Sequence, residues 1–252
     1  MKLFSQLTAV AVLAFMILLS FAIPAKKIKV YLIGDSTMSI KQISKYPETG
    51  WGMPFAHFFD ETVTVDNRAQ NGRSTKSFMT EGRWKLVTDS LKAGDYVFIQ
   101  FGHNDEVKTK KTYTTEEEFK NNLGKYVTES LKAGAFPVLI TPVARRSFDA
   151  DGNVLGTHQV YAEIVRKVAR EMNVPLIDLD KESMLLLQKM GVENSKLLFN
   201  KLEPGQNPNY PNGVDDNTHF NEYGARRMAE LVLSELKKLN LELASRIVKH
   251  SK

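Results

Sequence analysis

Lys29-Val30-Tyr31-Leu32-Ile33-Gly34-Asp35-Ser36-Thr37 is the stretch on which the fold turns. A β-branched, apolar run too short for a helix ends at a glycine and opens into small polar residues, the pattern of a buried strand emptying into a turn. Four further runs of this kind follow at 63–67, 96–101, 137–141 and 175–179. Between them, Phe119, Leu123, Tyr126 and Leu131 recur at helical spacing, as do Tyr161, Ile164, Val168 and Met172, and then Met228, Val232, Leu236 and Leu239. Such stripes are core faces of helices. Strands alternating with helices predict an α/β fold with a five-stranded parallel sheet and right-handed crossovers. That is a doubly wound, three-layer α/β/α sandwich of flavodoxin-like outline. Lys92-Ala93-Gly94 and Lys132-Ala133-Gly134 read as two helix ends, with lysine in the last turn and glycine at the left-handed cap.

In such sheets a site forms beyond the strands' carboxyl ends. The segments placed there are Gly34-Asp35-Ser36-Thr37, Ala69-Gln70-Asn71-Gly72-Arg73-Ser74 and Gly102-His103-Asn104-Asp105. The region 202–217, rich in proline and glycine, reads as a long loop delivering Asp216-Asn217-Thr218-His219.

These segments hold the parts of an acyl-transfer site. Ser36 follows a strand in a tight turn, as a nucleophile must to expose its oxygen. Asp216 and His219, three residues apart in one turn, can meet as base and orienting carboxylate. The N–H groups of Ser36 and Gly72 and the Asn104 amide are candidate oxyanion donors. Gly-Asp-Ser alone is also an ordinary turn, and Asp with His is also a helix cap or a pair of metal ligands. His103 is the rival base, with a supporting hydrogen bond as its other reading. His57, His158 and His250 have no partner motif and read as core-facing, helical-surface and tail residues.

The chain has 252 residues, no cysteine and a formal net charge of +5. Length suits one sizeable domain, expected over 23–252. Absence of cysteine excludes disulfides and thiolate chemistry. Basic residues are scattered among acidic ones, which argues against nucleic-acid binding. No metal motif and no phosphate- or dinucleotide-binding glycine loop occurs, so neither a metal nor a cofactor is expected. Met1-Lys2 followed by an apolar run from Ala9 to Phe21 is laid out as a secretory signal over 1–22, cut after Ala22 or near Ala25. An uncut anchor is the competing reading. The expected location is secreted or periplasmic, with no membrane contact beyond that segment.

At these residues the chain resembles the GDSL, or SGNH, hydrolase superfamily, whose four blocks contribute Ser, Gly, Asn and His. They stand here in order as Ser36, Gly72, Asn104, and Asp216 with His219. The run from Asn71 to Phe78, Glu81-Gly82-Arg83-Trp84, Thr141-Pro142-Val143 with Arg145-Arg146, and Asp216 to Phe220 resemble its rhamnogalacturonan acetylesterase branch. The resemblance implies catalysis by Ser36, His219 and Asp216, an oxyanion hole of Ser36, Gly72 and Asn104, and an acetylated acidic polysaccharide as substrate. Arg73, Arg145 and Arg146 are then candidates to hold uronate carboxylates, with internal ion pairing as the alternative for each. Trp51 and Trp84 are either sugar platforms or core. Rival functions are an esterase for acetylated xylan, lipid or another small ester, and a non-catalytic carbohydrate-binding protein.

Overall fold

The computed structural model describes residues 26–248. The export segment expected at 1–22, and His250, lie outside the described residues. Strands β1 (Ile28–Gly34), β2 (Val63–Asn67), β3 (Tyr96–Gln100), β4 (Phe136–Ile140) and β5 (Leu176–Ile177) form one sheet in the order β2-β1-β3-β4-β5. Every pairing in it is parallel. The order reverses at β1 and β3, and the crevice at that switch point is where the first and third candidate segments emerge.

Successive residues of β1 face opposite layers. Val30 and Leu32 pack with Trp51, Phe55 and the apolar face of the helix Glu222–Lys238, which presents Met228, Val232 and Leu236. Tyr31 and Ile33 pack with Phe78, Trp84 and the helices Glu116–Lys132 and Gln159–Met172. A period of two in the strand and 3.6 in the helices thus yields the expected three layers. The long helix Glu116–Lys132 starts at a capping box in which Thr115 and Glu118 satisfy each other's backbone amides.

The structure corrects several details. Leu131 is 49% exposed, because the helix turns that position away from the sheet. Gly134, with φ +74°, does follow a helix end, but the preceding helix stops at Thr88, so Lys92-Ala93-Gly94 is a separate turn. That turn is held by the Asp95 carboxylate accepting from Lys92 N–H at 2.9 Å. Region 202–217 is not wholly a loop: β6 (Phe199–Leu202) and β7 (Val214–Phe220) pair antiparallel beside the main sheet. Asp216 and His219 therefore sit on a strand. Its polar sequence and broken register carry no alternation to reveal it.

Candidate active site

The first segment is shaped by Gly34 and Asp35. A Cβ on Gly34 would come within 2.5 Å of the Gln100 carbonyl oxygen, so only glycine lets β1 end this close to β3. Asp35 is fully buried and accepts from the Thr37 N–H at 2.9 Å and the Thr37 hydroxyl at 2.8 Å, which curls the chain and lifts Ser36 partly into solvent. Its other oxygen meets His103 Nδ1 at 3.1 Å. Burial alone would raise this carboxyl, but His103 and Thr37 outweigh it and hold the pKa down at about 2. His103 thus reaches Asp35 rather than the serine hydroxyl, and acts as a support for the turn.

Ser36 Oγ lies 2.8 Å from His219 Nε2, and His219 Nδ1 lies 2.7 Å from Asp216 Oδ2. Asp216 Oδ1 accepts the backbone N–H groups of Thr218 and His219 at 2.6 and 2.9 Å, which fixes the carboxylate against the ring. Burial raises the Asp216 carboxyl, and the hydrogen bonds and charge of the His219 segment more than reverse this, holding it at about 2. An ionised carboxylate on Nδ1 keeps the proton there and leaves Nε2 able to take one from the hydroxyl. Asp215, the neighbour, points to solvent with 82% of its side chain exposed and pairs with Lys201.

Hydrogen bonds stitch the second segment to the first and the third to the second. Gln70 N–H donates to the Gly34 carbonyl at 3.0 Å, and Asn104 Nδ2 donates to the Arg73 carbonyl at 3.1 Å. Gly72 has φ +75° and is open to solvent, so its N–H can turn outward where a side chain would be strained. Among the described residues, the amides of Ser36 and Gly72 have no acceptor. Asn104 keeps one amide hydrogen beyond its bond to Arg73.

The three arginines are all engaged within the protein. Arg73 pairs with Glu81 at 2.9 Å, and Arg145 pairs with Glu106 at 2.8 Å. Arg146 bonds Asn217 Oδ1, Ser195 Oγ and the Val192 carbonyl, and among the described residues has no carboxylate partner. It borders an open cleft of about 740 Å³ together with Lys196, Lys201, Glu203, Asp215 and Asn217. Trp51 and Trp84 are core: Trp51 donates to the Gln100 side chain at 2.6 Å and Trp84 to Glu129 at 2.6 Å.

The remaining histidines depart from their sequence reading. His57 is exposed. His158 is buried ahead of the helix Gln159–Met172, with Nδ1 3.0 Å from Glu106 and its ring 4.3 Å from that of His103. Burial, and then the His103 charge, depress its pKa to about 4 against the pull of Glu106. Sequence reasoning also passed over Asp35 as the partner of His103, and Lys41 with Glu48 below the serine. Only the polar character of the turn hinted at the first, and nothing local marked the second.

Comparison with known proteins gives a consistent result. The pattern of the GDSL-like Lipase/Acylhydrolase family matches residues 32–227. The chain is 41% identical to the rhamnogalacturonan acetylesterase RhgT of Bacillus subtilis over 88% of its own length and 95% of that protein's. It is 36% identical to the probable rhamnogalacturonan acetylesterase YesY of the same organism, over 87% and 97% of the two chains. A crystal structure of the Bacillus subtilis protein YxiM superposes with a TM-score of 0.75 at 27% identity, over 87% of this chain and 59% of that one.

Proposed function

The chain belongs to the GDSL-like lipase/acylhydrolase family and is an esterase, and from that footing we propose that it removes acetyl groups from pectic rhamnogalacturonan by a Ser-His-Asp mechanism. The observation that carries the mechanism is the unbroken line from Ser36 Oγ through His219 to Asp216, with contacts of 2.8 and 2.7 Å. Ser36 Oγ attacks the acetyl carbonyl carbon while His219 Nε2 takes the hydroxyl proton. The N–H groups of Ser36 and Gly72 and the Asn104 amide receive the developing oxyanion, a contribution of about 3 kcal/mol for each well-placed donor. As the bond from the acetyl carbon to the sugar oxygen breaks, His219 gives the proton to that leaving oxygen, yielding an acetyl-serine and a free sugar hydroxyl. A water activated by the same imidazole then releases acetate. Each proton is carried by side chains already present, so the reaction needs neither metal nor cofactor.

The substrate reading is supported by the two relatives named for rhamnogalacturonan acetyl esters and by Arg146, whose guanidinium borders a cleft beside β7 and has no carboxylate partner among the described residues. A guanidinium suits a uronate carboxylate. Arg73, which shares Glu81 with Arg83, and Arg145, which pairs with Glu106, already have carboxylate partners and are weaker binders in this scheme. The protein works as one catalytic domain over 23–252 after export through the segment 1–22, outside the cytoplasm in contact with plant polymer and not with nucleic acid. The layout of Lys2 and the apolar run behind it supports that route.

The test is acetate release from acetylated rhamnogalacturonan, acetylated xylan and 4-nitrophenyl acetate by the natural protein and Ser36→Ala. Preference for the pectic polymer, abolished in the variant, is expected. Activity that depends on Ser36 but favours xylan or the small ester alone discards the substrate and keeps the mechanism; undiminished activity in Ser36→Ala discards the mechanism.

A further inference from the structure

Below the nucleophile turn lies a lysine whose side chain has no exposed surface. Lys41 Nζ donates to the Ser36 carbonyl oxygen at 2.5 Å and to Asn71 Oδ1 at 2.9 Å, and pairs with Glu48 Oε1 at 2.7 Å. Three ammonium hydrogens meet three acceptors. Ser39 Oγ gives its single hydrogen to Asn71 Oδ1 at 2.5 Å and sits 3.3 Å from the Ser36 carbonyl oxygen, so it anchors the same amide beside the turn. Burial lowers the pKa of Lys41, and the Glu48 carboxylate, with smaller help from Asp35 and Asp216, pulls it back.

Burying an ammonium costs several kcal/mol before its partners are counted, and an apolar residue would fill the same space more cheaply. The two segments joined here are the ones that carry the outward amides, since Asn71 precedes Gly72 and Ser36 bears both hydroxyl and N–H. We infer that Lys41, seconded by Ser39, is a positioning residue that clamps the Ser36 carbonyl to the Asn71 side chain and so holds the Ser36 and Gly72 amides on one oxyanion. The inference rests on the assignment of Ser36 as nucleophile. A clamp of this kind acts on the transition state, because displacement of a donor by about 1 Å costs up to about a hundredfold in rate while ground-state binding of the ester changes little.

The experiment compares four proteins on 4-nitrophenyl acetate, with kcat, KM and Tm for each: the natural chain, Ser36→Ala, Ser39→Ala, and Lys41→Met combined with Glu48→Gln. The double change removes both buried charges together, so no lone carboxylate is left below the site. It is expected to lower kcat about thirtyfold or more with KM within about threefold, and Ser39→Ala to lower kcat several-fold with KM unchanged. A folded double variant with the natural kcat, or with its loss confined to KM, overturns the clamp. If the double variant fails to fold, Ser39→Ala decides, and a natural kcat there overturns it. Ser36→Ala separates the two levels: activity retained in that variant sinks the nucleophile assignment, whereas its loss leaves the clamp to be judged by the other two.

Discussion

Asp216→Asn should be more damaging than Asp216→Ala, although asparagine is the closer isostere. Oδ1 of Asp216 accepts two backbone N–H groups, so the replacement amide must keep its oxygen there and turn its NH2 toward His219 Nδ1. A donor facing Nδ1 forces the imidazole into the tautomer whose proton sits on Nε2, and that nitrogen can then no longer accept from Ser36. Alanine instead leaves room for a water that can accept from Nδ1–H, so the useful tautomer survives. The common loss is the attraction between the imidazolium and the carboxylate. With charge centres about 4 Å apart this is about 4 kcal/mol at an effective dielectric of 20, reduced to about 3 by solvent screening. Screening applies because the two side chains are 27% and 25% exposed. About 3 kcal/mol corresponds to roughly two orders of magnitude in rate, the expected cost of Asp216→Ala. The tautomer adds at least about tenfold, so kcat/KM of Asp216→Asn should fall about 10³- to 10⁴-fold. Initial rates on 4-nitrophenyl acetate at neutral pH, after confirming the fold by circular dichroism, provide the assay. Asp216→Asn equal to or faster than Asp216→Ala would refute the tautomer argument. A collapse caused by Asp215→Asn instead would show that the orienting carboxylate is its neighbour.

Two other outcomes are expected. Asp105 Oδ1 takes hydrogen bonds from Thr75 and Thr114 while Oδ2 is buried with no partner among the described residues, and burial raises its pKa to about 7 against the pull of those hydrogen bonds. The folded chain therefore holds a proton that the unfolded chain releases near 3.8, and this contribution to stability is full below that pH and lost as pH rises toward 7. Asp105→Asn should make Tm less dependent on pH across that window, and an unchanged slope would contradict the assignment. Arg146→Ala should raise KM on the acetylated pectic polymer several-fold while leaving kcat/KM on 4-nitrophenyl acetate within about twofold; equal losses on both would place Arg146 in support of Asn217 and Ser195 instead of in contact with the uronate.

The sheet was legible because its central strands β1, β3 and β4 are buried on both faces along nearly their whole length, whereas the edge strand β2 is only partly buried. Burial on both sides leaves continuous runs such as Tyr96 to Gln100 that no other element resembles. The hairpin carrying Asp216 and His219 was not legible, since a short polar strand that lies beside the core has no periodicity to read. The four blocks that contain Ser36, Gly72, Asn104 and His219 were readable from residue type, order and turn chemistry. Partners were less so: the sequence left each arginine either to a uronate or to an internal ion pair, and two of the three pair with Glu81 and Glu106. His158 looked like a surface residue because its neighbour Glu106 lies 52 positions away in the chain.

By itself the sequence determined the layer order, the strand ends where polar side chains gather, and which residues carry a hydroxyl, an imidazole or an amide to that edge. These follow from patterns that a few consecutive residues express. Only the tertiary structure decided that His103 supports Asp35, that Asp216 rather than Asp215 meets the imidazole, and that Lys41 lies buried under Ser36. Each of those depends on which side of a turn a side chain takes and on what distant segment packs against it, and hydrogen-bond geometry and burial exist only once the chain has closed on itself.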